Sequence, residues 1–210
     1  MMGAMTGILF SSAFGIFTAG FSPLTSIGLV LLLSMTLCAV LGYIIEKSIY
    51  RPLRNKPRMT LLVAAIGLSL FMEYGGQYGF TSEIRHFPDL MSGQKIVISG
   101  ITISVMNVII LIISIALMIG LNLFVRKTMT GKAMRAVSFS YQYASLMGIN
   151  VNRIISITFM IGSTLAGAAG VLYTLSYNKA EPLMGFMPGL KAFVAAVLGG
   201  IGSIPGAVLG

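Results

Sequence analysis

The sequence predicts an all-α protein that crosses a membrane several times. Three observations carry that prediction. Of 210 residues, 56% are hydrophobic and only 9% are charged, where a soluble domain has roughly 25% charged residues. Residues 1–45 contain no charged side chain at all. Beyond them, apolar runs alternate with polar stretches that are in turn rich and poor in Lys and Arg. The mean hydropathy of +0.94 agrees. With 14 basic and 5 acidic side chains, the chain cannot coat a globule of its size with charge, so lipid is the expected solvent for most of its surface. Disorder is excluded by the high hydrophobicity. A disulfide scaffold is excluded because Cys38 is the sole cysteine and lies in an apolar run.

The elements follow in order. About 20 helical residues cross the hydrocarbon core, so the uncharged residues 1–45 hold two crossings, near 3–20 and 24–45. Ser22-Pro23 is the expected break, since proline restricts the residue before it. A cleaved signal peptide would need a basic start, which is missing. Glu46 to Arg58 is polar. Met59 to Met72 is a short uncharged segment that must use its flanks, tilt, or line protein. Glu73 to Lys95 is a mixed loop, and Ile96 to Val125 is an uncharged crossing with length to spare. Arg126 to Arg153 is the longest polar segment. Ile154 to Asn178 crosses again, Lys179 to Lys191 connects, and Ala192 to Gly210 is a last, glycine-rich apolar run. About six membrane segments result, including the short 59–72 segment and a broken, Gly/Pro-rich last one.

Charge sets the expected sidedness. Lys47, Arg51, Arg54, Lys56 and Arg58 fall in loop 46–58, and Arg126, Lys127, Lys132, Arg135 and Arg153 in segment 126–153. Basic residues bias short loops to the cytoplasm. These two loops are therefore expected inside, and 73–95 and 179–191 outside. Topology signalling is the plain reading of the basic loops, and anionic lipid headgroups are the next. Nucleic acid is not expected, because aromatic interleaving and a known module are absent.

Segment 126–153 is too long for a simple turn. Thr130 is a candidate N-cap for a helix starting at Gly131 or Lys132, Gly148 sits where a C-terminal glycine cap belongs, and Asn152 is placed to cap the next membrane helix. Ala133, Ala136, Val137, Ser140, Ala144 and Met147 recur at i+3 and i+4 steps and form a small, apolar stripe. Two readings stand: a helix lying on its own bundle or at the headgroups, or a flat docking face for a cytoplasmic partner.

Small residues crowd the next run. Gly162 with Ala166, and Ala166 with Gly170, are small-xxx-small pairs suited to close helix packing, within one subunit or against a second. In the last run, Gly199, Gly200, Gly202, Pro205 and Gly206 forbid an ordinary straight helix. Broken backbone at membrane depth belongs where it is buried or lines a cavity, and such breaks build transporter sites. A path-lining or gate-adjacent role is one reading, and a kink at a subunit interface is the other.

Catalytic chemistry has no candidate. His86 is the sole histidine, so a metal cluster is not expected. No carboxylate lies within a proposed helix core, and Glu46 and Glu73 are expected at helix ends, within reach of solvent or headgroups. Gly131-Lys132 lacks both the upstream glycine and the following hydroxyl of a phosphate-binding loop. No catalytic residue, metal ligand or cofactor site is expected in the chain, and an enzyme is the least favoured class.

Three stretches carry a resemblance: Ala144-Ser-Leu-Met-Gly-Ile-Asn150, Gly162-Ser-Thr-Leu-Ala-Gly-Ala-Ala-Gly-Val-Leu172, and Gly185 to Ala207 with its Leu-Gly-Gly-Ile-Gly-Ser-Ile-Pro-Gly. Arg51-Pro52-Leu53 and Ala64-Ala-Ile-Gly-Leu-Ser69 fit as well. Together they resemble the high-affinity branched-chain amino acid ABC transporter permease of the LivH type, over essentially the whole chain and most strongly from 131 to 210.

That resemblance implies a single transmembrane permease domain, 1–210, within which 131–150 is a cytoplasmic coupling-helix segment. It implies a multi-pass protein of the cell inner membrane, paired with a second related permease and two cytoplasmic ABC ATPases, and supplied with Leu, Ile or Val by an external solute-binding protein. ATP and Mg would be used in the ATPases, not here. The coupling set is then Ala133, Arg135, Ala136, Ala144, Gly148 and Asn150. Two departures stand out. Val137 to Gln142 has no acidic residue where such permeases often carry one. Both ends also look short, which reads as an incomplete permease. A urea or short-amide permease, and a channel or scaffold without ATP coupling, remain the alternatives.

Overall fold

A computed structural model describes residues 2–13, 23–54, 56–80, 85–86, 95–98, 101–177, 179–180, 184–200, 202 and 206–207. The described architecture is helical. α1 is Met2–Ala13, α2 Pro23–Ile45, α3 Arg51–Leu53, α4 Arg58–Phe80, α5 Val105–Lys127, α6 Met129–Phe139, α7 Tyr141–Leu146, α8 Val151–Tyr177 and α9 Phe186–Leu198. Among the described residues, four helices are long and apolar enough to cross a membrane: α2 with its extension, α4, α5 and α8. The protein is thus an all-α polytopic membrane protein. Four short strands accompany the helices. β1 (Arg85–His86) pairs antiparallel with β4 (Lys179–Ala180), and β2 (Lys95–Ile98) with β3 (Ile101–Ser104).

Several expected boundaries move, each for a physical reason. α4 runs 23 residues, well past the expected end at Met72. One carboxylate, Glu73, does not interrupt a helix, and Gly75 and Gly76 weaken it without ending it. The expected crossing at 96–125 starts instead at Val105, because 95–98 and 101–104 pair as antiparallel strands of consecutive β-branched residues, Ile96-Val97-Ile98 and Ile101-Thr102-Ile103. α9 begins at Phe186, within the expected connection, and tolerates Pro188 because first-turn N–H groups need no helical partner. At 13 residues α9 spans about 20 Å, short of the ~30 Å hydrocarbon core. α1 is described to Ala13 only, and residues 14–22, with Ser22 of the expected break, lie outside the described residues.

The core is the seam of α2 against α8, with α1 laid on both. Ala4, Ile27, Val30, Val171 and Leu175 make one buried cluster, and Leu31, Ala168 and Leu172 a second, with Ile110 of α5 packed on both. Lipid gives no hydrophobic drive to helix association, so close approach must supply it. A Cβ on Gly3 would lie 2.6 Å from the Cα of Gly167, and one on Gly167 would lie 3.1 Å from the Ser34 carbonyl oxygen. Only glycine lets the three backbones meet this closely. The buried Ser34 hydroxyl donates to the Gly3 carbonyl at 2.7 Å, and Thr6 donates to that of Met2 at 2.9 Å. By contrast, α4 touches the rest only slightly and leaves Leu62, Val63, Ile66 and Phe71 exposed on the single chain.

Candidate functional site

The connection between α5 and α8 is built by its caps. Thr128, extended at φ −84° and ψ 155°, is the N-cap of α6, and its Oγ1 accepts from the Gly131 N–H at 3.0 Å. The expected cap, Thr130, falls inside the first helical turn, where a cap's extended backbone is impossible. The turn is tight: a Cβ on Gly131 would strike the carbonyls of Phe124 and Val125.

The expected single helix is two. Ser140 is extended at φ −160° and ψ 125°, which ends α6 and starts α7. Val137-Ser-Phe-Ser-Tyr141 is a run of weak helix formers, so little is lost by breaking there. α7 closes at Gly148, φ +78°, as expected of a glycine cap. Ile149 N–H donates to the Ala144 carbonyl and Gly148 N–H to that of Ser145, at 3.1 and 3.0 Å. This is the paired closure of a Schellman motif. Asn150 then caps α8 by accepting from Arg153 N–H at 3.2 Å, a role expected of Asn152. The cap lies earlier because α8 already begins at Val151.

The small stripe faces inward except for Met147. Val137 and Ala144 are buried, and Ala133 and Ala136 half-buried, while Arg135, Gly148 and Asn150 are exposed. The small residues let α6 and α7 lie close on their own bundle, the first of the two readings made from the pattern. The outward surface carries Phe139, Tyr141, Tyr143, Leu146 and Met147. Leu146 and Met147 are each 81% exposed. The amphipathic pattern had drawn attention to the alanines, and the break at Ser140 re-aims the large side chains. A run of aromatic residues amid polar ones was the available signal.

Glu46 corrects a second expectation. It does not meet solvent or headgroups at a helix end: its side chain is 0% exposed. Glu46–Tyr50 is a π-helical turn that continues α2, with the Arg51 N–H bonded to the Glu46 carbonyl. Pro52 follows, unable to donate and crowding the carbonyl of Ser48, which favours a widened turn. Arg54 Nη2 donates to Glu46 Oε1 at 2.8 Å, and the Ser156 hydroxyl donates to Oε2 at 2.6 Å. Arg54 Nη1 also donates to Asn152 Oδ1. Tyr50 and Phe159 stack beside them, with ring centroids 5.0 Å apart.

The residues singled out for packing divide. Gly170 meets α1, where a Cβ would lie 3.0 Å from the Ala4 nitrogen. Gly162 has open space around it, and Ala166 is exposed. The close face of α8 within this chain is Ser163, Gly167 and Gly170, of which Gly170 belongs to the expected pairs. At the glycine-rich end, a Cβ on Gly199 would overlap the Gly206 carbonyl, and Gly200 and Gly202 hold φ of +93° and +104°. The close approach of Gly199 and Gly206 and the two positive φ values exclude a straight helix. Pro205 lies outside the described residues. Next to Gly206, Ala207 lines an open groove of about 650 Å³ between α5 and α8, together with Ile110, Ser114, Leu172 and Tyr173. Among the described residues no group of three or more His, Cys, Asp or Glu could hold a metal ion.

Comparison with known proteins agrees with this architecture. The sequence profile described as "Branched-chain amino acid transport system / permease component" matches residues 1–210. The high-affinity branched-chain amino acid transport system permease protein BraD of Pseudomonas aeruginosa is 41% identical over 181 residues, 84% of this chain and 59% of that protein. LivH of Escherichia coli K12 is 40% identical over the same shares. A probable LivH of Methanocaldococcus jannaschii is 30% identical over 188 residues, 85% of this chain and 59% of that one. The chain thus matches about three fifths of the length of these relatives. No solved structure matches. A multi-pass membrane chain with a capped two-helix segment and a glycine-broken end, matched along its whole length by this profile, belongs to the branched-chain amino acid transport permease family.

Proposed function

We propose that the chain is a membrane-spanning permease subunit of an ATP-driven importer in the cell inner membrane, moving a branched-chain amino acid into the cytoplasm. Its partners are a second related permease, two cytoplasmic ABC ATPases that bind ATP and Mg, and an external solute-binding protein that delivers Leu, Ile or Val. The observation that carries this reading is the 40–41% identity to BraD and LivH over 84% of the chain. The domain is 1–210, with segment 131–150 as its coupling element and loops 46–58 and 126–153 on the cytoplasmic side. Two further crossings beyond the four membrane-length helices would complete the six segments.

The geometry supports a division of labour within the coupling set. Ala133, Ala136 and Ala144 seat the segment on the bundle, Gly148 and Asn150 fix its exit into α8, and Arg135 with the exposed aromatic surface meets an ATPase. Charge contact is then minor and apolar docking dominant, which fits the lack of acidic residues over 137–142. ATP-driven closure of the ATPases moves these segments, and the bundles switch access. Gly199, Gly200, Gly202 and Gly206, and with them Pro205 from the sequence, are read as on or next to the path, a reading supported by Ala207 in the lining of the α5–α8 groove.

Gly148 offers the test. A side chain there meets nothing within 4 Å in this chain, but φ of +78° strains any residue other than glycine. Gly148→Ala adds the strain without the bulk, and Gly148→Arg adds both. In vesicles holding the complete importer, ATP-dependent uptake of labelled leucine should survive the first change within about threefold and be lost with the second. Equal uptake by both variants would reject docking at this point. Absence of ATP-dependent uptake of Leu, Ile and Val by the unaltered complex would reject the importer reading.

A further inference from the structure

Glu46, Arg54, Asn152 and Ser156 form a closed polar set at one end of the α2–α8 seam, away from the glycine contacts that hold its middle. We propose that the Glu46–Arg54 pair, through its contacts to Ser156 and Asn152, is a coupling joint that makes α2 and α8 move as one body when segment 128–150 is displaced; this rests on the importer reading above. Position is the first argument. Asn150 caps α8, and Asn152 and Ser156 lie in its first two turns. The joint therefore grips the stretch of α8 that receives the exit of α7.

Connectivity is the second. Arg54 follows the π-helical turn and α3 on the helical continuation of α2, so two contacts cross from this helix to the start of α8, Glu46 to Ser156 and Arg54 to Asn152, and the Glu46–Arg54 bond locks the two side chains together. The third argument is chemical. Glu46 is fully enclosed and uses both oxygens, one on Arg54 and one on Ser156. A charge out of water holds firmly to its partner, because separation leaves it uncompensated. Such a pair is a clamp with two states, closed or broken, rather than a soft contact. Tyr50 against Phe159 extends the same grip one turn further along α8.

The test uses the complete importer in vesicles with Cys38→Ser, so that introduced thiols are the only reactive ones in this subunit. Arg54→Cys with Asn152→Cys removes the pair and supplies two sites for a short, reversible bis-methanethiosulfonate linker. Uptake, ATP hydrolysis and the amount of assembled complex are measured together. Unlinked, the molecules transported per ATP should fall at least fivefold, with ATP hydrolysis within twofold of the Cys38→Ser parent. Linking should restore the ratio, and reduction should lose it again. Glu46→Gln, which keeps the side-chain volume and the Ser156 hydrogen bond, should show the same loss without any cysteine.

A ratio unchanged in both variants would overturn the proposal. So would a loss that follows the amount of complex and is indifferent to the linker, since that marks a purely structural pair. A parent complex with no ATP-driven uptake would reject the importer reading and the proposal with it. That result is distinct from a working parent with indifferent variants.

Discussion

The two stretches of the α2–α8 seam are held by opposite means. In the middle, close approach holds it: Gly167 against Ser34 and Cys38, and Gly42 against Ser163, with Gly3 of α1 laid on Gly167, leave no room for a larger group. Toward the start of α8, the contact is a desolvated ion pair with its hydrogen bonds, Glu46 with Arg54, Asn152 and Ser156. The first means is short-ranged and tolerates no added volume. The second tolerates volume but not loss of a partner. A membrane helix pair thus separates a fixed axis from a joint whose strength depends on charge.

That comparison can be broken by substitution, and the largest effect should come from the charged end. Glu46→Ala leaves Arg54, 24% exposed, without its counter-charge. Breaking a buried pair costs about 3–5 kcal/mol, and the partial access of Arg54 to solvent places this one near 3 kcal/mol. Resistance of the purified subunit to denaturant in detergent reads it. Gly167→Val should follow at about 1–3 kcal/mol, the cost of overpacking, because its Cβ already meets Cys38 and the Ser34 carbonyl. The same denaturation measurement applies, and Gly3→Ala in the Gly167→Val background should add little, since both changes part the same backbones.

Ser34→Ala removes the hydrogen bond to the Gly3 carbonyl and should cost about 0.6 kcal/mol, the usual worth of such a bond between membrane helices. Gly162→Ala should cost nothing measurable within the subunit, because its surroundings are open. If Gly162→Ala nevertheless lowers the yield of an assembled permease pair, that face of α8 belongs to the second permease.

The sequence announced the membrane class, the polar punctuation and the glycine-broken end, because lipid constrains composition more than any fold does. Apolar runs of 20 or more residues and the glycine cap at Gly148 were legible for the same local reasons, while each helix N-cap lies two residues before the one expected. Three things were not. The 95–104 hairpin hid inside an uncharged run, since hydropathy does not separate β-branched strands from a buried helix. Which small residues of α8 pack within the chain was not legible either, because Gly162 and Gly167 are equally small and only their neighbours decide. The burial of Glu46 depends on Arg54 and Ser156, 8 and 110 residues away, and no periodicity reports that pairing.

The outward face of α7 tests the central claim most directly. A photoactivatable cross-linker at Leu146, within the complete complex in native membranes, reports what this surface meets. The account predicts one dominant adduct, with the ATPase, whose yield changes on adding ATP and Mg. Cross-linking to lipid or to this subunit alone, or labelling of Leu146→Cys by an impermeant reagent added from outside, would contradict it.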